Sequence, residues 1–213
     1  MPLEVEVRFR IPAPRTRDKI LEDPGVTALM MRDFRATEMS AEYYDSPTHA
    51  LKTLRSTLRR RLEDGKPHVS FKTASSDDGN LLARQKWQCS ADEISVAIGI
   101  LMDMGAPEFL GEHARSEGYI ARGRFWYTRR GAPLMLPPAE TSDDRTAIEL
   151  AVDEGELNTD GKHEPMLEVV LKLLYGDPAA LVAFAEALEK KHGLTRELCS
   201  KYERVLRLLR SRR

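Results

Sequence analysis

The sequence predicts a single α+β domain over residues 1–213, in which an antiparallel sheet is the main element and can close on itself. Several short stretches alternate between apolar and charged residues, as strands do because successive side chains point to opposite faces. Turn-forming segments such as "EDGKP" and "SSDDGN" separate these stretches. Short connections favour antiparallel neighbours over the strand–helix alternation of a parallel sheet. Of the 213 residues 41% are apolar, enough for one large core, and no linker or repeat divides the chain.

Seven stretches show this alternation, and each predicts one strand. They are residues 3–10, 56–63, 68–73, 83–90, 119–130, 146–155 and 165–176. The first reads "LEVEVRFR", in which Glu4, Glu6 and Arg8 alternate with apolar residues. One face of this strand is therefore apolar, and the other carries two carboxylates and a guanidinium.

Helical periodicity and capping signals predict four helices. They cover residues 15–23, 90–106, 176–193 and 200–213. Ser90 is the expected N-cap of the second helix, with Glu93 at the capping-box position. The third begins with Asp177 before Pro178 and ends at Gly193, which are favourable start and stop signals.

Basic residues outnumber acidic ones on the charged faces of these strands, although the formal charge of the whole chain is -1. The basic residues are Arg8, Arg59, Arg61, Lys72, Arg84, Lys86, Arg122, Arg124 and Lys172. The acidic residues are Glu4, Glu6, Glu149, Asp153 and Glu168. A solvated outer face explains such a row on any one strand. Seven strands with the same character instead favour a shared lumen.

A closed lumen of this composition favours a highly charged anion. Like charges that are desolvated together repel one another, and an anion relieves the repulsion. Arginine offers a planar fork to phosphate oxygens, and Lys72 adds a compact positive charge. Carboxylates in the same lumen are suited to hold divalent cations between themselves and the phosphates.

Seven blocks follow one another from residue 3 to about residue 209. They are "EVEVR", "YYDSPTHALKTLRSTLRRRL", "SFKT", "ARQKWQ", "AIELAVDEG", "LEVVLKLLYGD" and "LCSKYERVLRLL". Their order resembles that of the CYTH proteins, also called triphosphate tunnel metalloenzymes, and "EVEVR" resembles the ExExK signature of that family. Each piece is short, but the ordered set is specific.

The resemblance implies an eight-stranded antiparallel β-tunnel with flanking helices that binds a triphosphate. It further implies hydrolysis of inorganic or thiamine triphosphate, or cyclisation of ATP, with Mg²⁺ or Mn²⁺. The positions that it suggests for phosphate binding are Arg8, Arg59, Arg61, Lys72, Arg84, Arg124 (or its neighbour Arg122) and Lys201. The positions that it suggests on the metal side are Glu4, Glu6, Glu168 and, as an accessory, Asp153.

The chain departs from the family pattern at the acidic positions. Arg8 stands where lysine is usual, and Lys86, Gln88, Val170 and Lys172 stand where glutamates are usual. Since Mg²⁺ requires oxygen ligands, we expect a weakened metal affinity. Lys86 and Lys172 can instead neutralise phosphate directly.

The leading hypothesis is a protein that binds a triphosphate-containing anion and hydrolyses inorganic triphosphate or a related tripolyphosphate with a divalent metal. One alternative is a non-catalytic module that binds polyphosphate or a nucleoside triphosphate, which the lost acidic positions motivate. Another is a class IV type adenylyl cyclase, although no base-reading motif supports it. Nucleic acid is not an expected partner, because the total charge is near zero and the basic groups are expected to face inward.

We expect a cytoplasmic location and no membrane partner. No apolar run approaches the length of a bilayer span, and the N-terminal residues lack the pattern of a signal peptide. Cys89 and Cys199 lie far apart in sequence and fit a reducing compartment. The sequence gives no indication of the oligomeric state.

Overall fold

A computed structural model of the protein describes residues 3–73, 76–77, 82–137, 145–159 and 161–210. The strands are β1 (Leu3–Arg10), β2 (Arg35–Asp45), β3 (Thr57–Glu63), β4 (Lys66–Lys72), β5 (Ser76–Asp77), β6 (Leu82–Cys89), β7 (Ile120–Leu136), β8 (Thr146–Thr159), β9 (Lys162–Tyr175) and β10 (Thr195–Arg196). The helices are α1 (Pro14–Leu21), α2 (Pro24–Thr27), α3 (Ala50–Thr53), α4 (Ile94–Asp103), α5 (Glu108–Ser116), α6 (Pro178–His192) and α7 (Lys201–Arg210).

Eight of the strands form a closed antiparallel barrel. Their order is β1–β9–β8–β7–β2–β3–β4–β6, and β6 pairs with β1 to complete the circle. At this closing seam Glu4 lies opposite Arg84. Two further strands of two residues each pair with this barrel, β5 with β6 and β10 with β1. The expected α+β architecture with an eight-stranded β-tunnel is confirmed, while the extent of the domain over residues 1–213 stays a prediction.

Two apolar parts of the outer face of the barrel lie beneath helices. On one side Val7 and Phe9 of β1 pack in a core with Leu181 of α6. On the other side Phe71 of β4 packs in a core with Leu101 of α4. Where a strand packs its outward side chains beneath these helices, its alternate side chains must point into the lumen.

Helix α7 fills one end of the lumen. Its residues Tyr202 and Val205 pack against Tyr43 and Phe125, which belong to barrel strands β2 and β7. The rings of Tyr43 and Tyr202 are stacked with centroids 5.4 Å apart. Gly123 in β7 permits this packing, because a Cβ there would lie 2.5 Å from Cγ1 of Val205. The apolar face of α7 therefore closes this end of the barrel.

The seven expected strands are all present, with ends shifted by a few residues, and β2 is the additional strand of the barrel. The two-residue strands β5 and β10 were not expected either. The buried side chains of β2 include Met39, Ala41 and Tyr43, and a small residue such as alanine makes the alternation hard to recognise. The second expected helix starts at Ile94 instead of following Ser90, and Glu93 is its N-cap. Helix α5 was not expected from the sequence.

The third expected helix is confirmed as α6. The side chain of Asp177 accepts a hydrogen bond from the backbone N–H of Ala179 at 2.8 Å, and Gly193 ends the helix with a φ of 61°. The expected helices at residues 15–23 and 200–213 correspond to α1 and α7. Within the described ranges, none of the helices combines the length and apolar character that a membrane span needs.

Strands β7 and β8 approach each other closely at Gly155. It pairs with Tyr127, and a Cβ at Gly155 would lie 2.1 Å from the carbonyl oxygen of Trp126 and 2.5 Å from Cα of Tyr127. We expect Gly155→Ala to lower the free energy of unfolding by about 2 kcal/mol or more, because backbone atoms must shift to admit the methyl group. Urea unfolding followed by circular dichroism measures this change.

Gly99→Ala in α4 is the matched control. No atom lies within 4 Å of a Cβ at Gly99, so the added methyl group meets open space. We expect this variant to be unchanged or stabilised by up to about 1 kcal/mol, since alanine favours the helix. Equal urea midpoints for the two variants would contradict the close approach of β7 and β8.

Candidate functional site

The lumen contains two connected cavities. The inner cavity, next to α7, has a volume of about 60 Å³, and the outer cavity has a volume of about 630 Å³. Five residues line both cavities, which makes the space continuous. These shared residues are Glu6, Arg59, Lys72, Arg129 and Val170.

The inner cavity is strongly cationic. The cationic side chains that line it are Arg8, Arg59, Lys72, Arg84, Arg129 and Lys201. Glu6 is the one acidic residue among the described residues of this lining. The cations come from six separate elements, five barrel strands and α7, so only the folded structure brings them together.

The outer cavity mixes both signs but keeps a basic majority. Its further basic residues are Arg32, Arg35, Arg61, Lys66, His68, Lys86 and Lys172. Its further acidic residues are Glu4, Glu63, Asp64 and Glu149. An anionic ligand can therefore contact cationic side chains along the whole length of the lumen.

Several guanidinium nitrogens in the lumen are buried without a hydrogen-bond partner among the described residues. They are Nη2 of Arg8 and Nε of Arg59, Arg61 and Arg84. An unsatisfied buried donor costs free energy, and a charged donor costs more. Phosphate oxygens are suitable acceptors for these forks. The lumen is thus arranged to receive an anion.

Glu4 is surrounded by lysines. It forms an ion pair with Lys72, and its Oε1 lies 3.3 Å from Nζ of Lys86 and 3.6 Å from Nζ of Lys172. Burial alone would raise the pKa of Glu4, but Lys72 and Lys86 hold it well below its ordinary value. Glu4 is therefore a carboxylate whose negative charge is already compensated.

Lys72 lies at the junction of the two cavities, and 13% of its side chain is exposed. Burial lowers the pKa of its ammonium group to about 8, although Glu6 and Glu4 act in the opposite direction. Lys86, its partner on the neighbouring strand β6, also has a lowered pKa because of burial. Both lysines carry charge that an anion in the lumen would stabilise.

Two of the expected metal-side carboxylates are held by cations inside the protein. Asp153 accepts two hydrogen bonds from Arg129, at 2.7 and 2.8 Å, and one from Lys201 at 3.1 Å. Glu168 accepts from Lys201 at 2.8 Å and from Arg204. Burial would raise the pKa of Asp153, but Arg129 and Lys201 hold it well below its ordinary value. Both carboxylates orient cationic side chains, and neither is among the described residues that line the inner or the outer cavity.

The residues present do not fit a resident divalent cation. In the described part of the chain, no group of three or more His, Cys, Asp and Glu residues is placed to hold a metal ion. A hard cation needs several oxygen ligands at once. Glu4 and Glu6 are the expected metal ligands that do line a cavity, and lysines and Arg8 already neutralise them.

Most of the expected phosphate ligands meet in the lumen, but Arg124 does not. Its guanidinium is 58% exposed on the outside of the barrel, where it pairs with Glu42 at 2.6 Å. Arg122 also lies elsewhere and donates to the carbonyl groups of Ser46 and Pro47. The prediction that this strand directs Arg124 or Arg122 into the lumen is wrong.

Arg129 is the residue of β7 that reaches the lumen, and sequence reasoning missed it. The strand continues to Leu136, and Leu134 and Leu136 belong to the core outside the barrel. Since side chains alternate along a strand, the even-numbered residues of β7 point outward with Leu134 and Leu136. The odd-numbered residues, including Arg129, therefore point into the lumen. The expected strand ends at residue 130, and the two leucines lie beyond that end.

Residues 2–117 match the family model of the CYTH domain. The chain belongs to the CYTH family. Its barrel is also similar to that of HpAC1 from Hippeastrum, a candidate adenylyl cyclase described as having a dominant triphosphatase activity. That likeness has a TM-score of 0.61 at 15% sequence identity and covers 96% of this chain and 95% of that one.

Two further solved structures show the same CYTH-type barrel. The PH1819 protein of Pyrococcus horikoshii OT3 has a TM-score of 0.57 at 16% identity, over 96% of this chain and 98% of that chain. A candidate adenylate cyclase of Bacillus halodurans has a TM-score of 0.52 at 15% identity, with the same shares covered. At these identities the likenesses show the fold alone.

Asp153→Asn tests whether this carboxylate is structural. We expect the free energy of unfolding to fall by about 3 kcal/mol, because Arg129 and Lys201 lose the charge that compensates their burial. The measurement is chemical denaturation of the metal-free protein. Glu154→Gln is the control on the same strand, since its partly exposed ion pairs with Arg17 and Arg130 contribute less than about 1 kcal/mol. Unchanged stability of Asp153→Asn would leave Asp153 free for another role.

Proposed function

We propose that this CYTH protein binds a linear inorganic polyphosphate of the tripolyphosphate type in the barrel lumen. The single observation that supports this function is a set of four arginines, Arg8, Arg59, Arg61 and Arg84, that line one continuous cavity. Each has a buried guanidinium nitrogen without a hydrogen-bond partner among the described residues. Each of these donors would gain a phosphate oxygen, and the anion would relieve the repulsion between the cations.

The shape of the lumen fits an elongated anion. Cationic side chains line both the inner and the outer cavity, so consecutive phosphoryl groups can each contact several of them. The volume of the outer cavity, about 630 Å³, lies within the usual range of small-molecule sites, about 300–1,000 Å³. A single orthophosphate would leave most of these cations without a partner.

The lining favours an inorganic chain over a nucleotide. Among the described residues that line the outer cavity, none is Phe, Tyr or Trp, and His68 supplies the one aromatic ring. Adenine is commonly bound by stacking on a large aromatic face. The lining therefore gives little support to an adenylyl cyclase. We further propose that the protein is located in the cytoplasm.

Hydrolysis of the bound chain is a second candidate function, and the position of Glu6 favours it. Glu6 lines both cavities, and Lys72 and Arg8 keep its pKa below the ordinary value although burial would raise it. An ionised Glu6 can orient a water molecule towards the terminal phosphorus. The water adds there and the bridging P–O bond breaks, so the terminal phosphoryl group becomes orthophosphate and the remaining diphosphate is the leaving group. One proton of the water passes to the diphosphate, and the cations stabilise the charge that develops on it.

HpAC1, described as having a dominant triphosphatase activity, offers a parallel for this second function. Release of orthophosphate from tripolyphosphate, measured with and without divalent metal, tests it. Glu6→Gln should then bind the anion while it releases orthophosphate more slowly. No release by the unmodified protein leaves a binding module.

Arg59→Ala tests the binding function. Because Arg59 lines both cavities, we expect its loss to weaken tripolyphosphate binding by about tenfold or more, as for other charge-assisted hydrogen bonds. Isothermal titration calorimetry, run both in EDTA and in excess Mg²⁺, measures the dissociation constant. Arg124→Ala removes the same charge outside the barrel and should bind as the unmodified protein does. Absence of binding in both buffers would refute the proposed function.

The pH dependence of binding tests the role of Lys72. Its pKa of about 8 means that the free protein loses this ammonium charge as the pH rises above that value. Anion affinity should therefore fall above pH 8, by up to about tenfold per pH unit for one linked proton. Lys72→Arg stays charged and should show a flatter profile. Since the anion's own titration is common to both proteins, the difference between the profiles reports on Lys72, and identical profiles would contradict its assigned role.

A further inference from the structure

We propose that the ammonium groups of Lys72, Lys86 and Lys172, here called the lysine cluster, take the place of a divalent cation in this tunnel. This inference rests on the proposed binding of polyphosphate. The protein then binds its anion without metal, because the charge that a metal ion would supply is built into three strands of the barrel.

The lysine cluster converges on one carboxylate. Lys72 comes from β4, Lys86 from β6 and Lys172 from β9, and all three form ion pairs with Glu4 of β1. Lys72 and Lys86 are directly opposite each other in the sheet. Like charges at such a pair are destabilising, so this arrangement calls for a compensating anion.

Glu4 alone cannot satisfy the lysine cluster. Its Oε2 is engaged by Lys72, and its Oε1 is shared between Lys86 and Lys172 at 3.3 and 3.6 Å. Each ammonium group has three donors. All three lysines line the outer cavity, so their remaining donors are available to a ligand there. A purely structural ion pair with Glu4 would need only one of them.

The same cluster opposes binding of a divalent cation. A Mg²⁺ ion lies about 2.1 Å from its oxygen ligands and prefers six of them. At Glu4 it would have to approach within a short distance of three ammonium groups, which repel it. Lys86 and Lys172 also stand at two positions where the resemblance to the family leads us to expect glutamate. These substitutions exchange two potential metal ligands for two fixed positive charges.

Calorimetry with tripolyphosphate tests the inference on the unmodified protein. We expect binding in EDTA, and we expect excess Mg²⁺ to leave the apparent affinity unchanged or weaken it, since Mg²⁺ competes for the free anion. Binding that appears only with Mg²⁺, or tightens tenfold or more with it, would overturn the inference and leave the proposed function intact. No binding in either buffer would refute the proposed function itself.

The double variant Lys86→Glu with Lys172→Glu restores acidic residues at these two positions. We expect it to lose about a hundredfold or more of its affinity in EDTA, since two charge-assisted contacts are removed. Mg²⁺ or Mn²⁺ should recover part of this loss. The control, Lys19→Glu with Lys190→Glu, makes the same change in net charge at exposed positions of α1 and α6 and should bind as the unmodified protein does.

A neutral pair of substitutions covers the case in which the acidic variant does not fold. Lys86→Met with Lys172→Met removes both charges and keeps side chains of similar length. We expect weaker binding in EDTA by about tenfold or more. Affinity equal to that of the unmodified protein would show that the lysine cluster does not contact the anion and would overturn the inference.

Discussion

The closed barrel forces like charges together, and this constraint governs the rest of the site. In an open sheet the charged face of each strand would be solvated. Once β6 pairs with β1, those faces converge on a lumen in which cations are partly desolvated and close to one another. Repulsion grows as the effective dielectric falls, so the surplus of arginine and lysine destabilises the empty barrel. That stored repulsion becomes binding free energy when a polyanion enters.

The buried carboxylates limit this repulsion and fix the geometry. Asp153 joins Arg129 to Lys201, and Glu168 joins Lys201 to Arg204, so one chain of ion pairs runs from β7 through β8 and β9 to α7. Such buried pairs contribute little net stability, but loss of one partner is costly. Their value lies in orientation, because a guanidinium held on one edge presents its other nitrogens in a defined direction. The helix that closes the barrel is thereby tied to the floor of the inner cavity.

The alternation of inward and outward residues along a strand explains which lumen residues the sequence predicts correctly and which it does not. For β1, β3, β4 and β6 a short alternating stretch was enough to identify inward residues such as Arg59 and Lys72 correctly. In β7 the leucines that show which residues point outward lie beyond the expected strand end. The shorter stretch therefore favours Arg124 for the lumen, where the structure places Arg129. The roles of Asp153 and Glu168 depend on cations from distant elements. No local sequence pattern shows which cations will contact Asp153 and Glu168. The resemblance to the family points to these two positions but not to their cationic partners.

Lysine and a divalent cation are not equivalent ways to neutralise phosphate. An ammonium group is tethered, monovalent and donates hydrogen bonds, so it needs no shell of carboxylates and binds anions as soon as the barrel folds. A metal ion in addition acts as a Lewis acid that polarises the phosphoryl oxygen. A tunnel that relies on the lysine cluster keeps its affinity for polyphosphate but gives up that polarisation. Any hydrolysis must then depend on the arginine guanidinium groups and on a water molecule oriented by Glu6. The affinity for polyphosphate and the rate of its hydrolysis therefore depend on different residues.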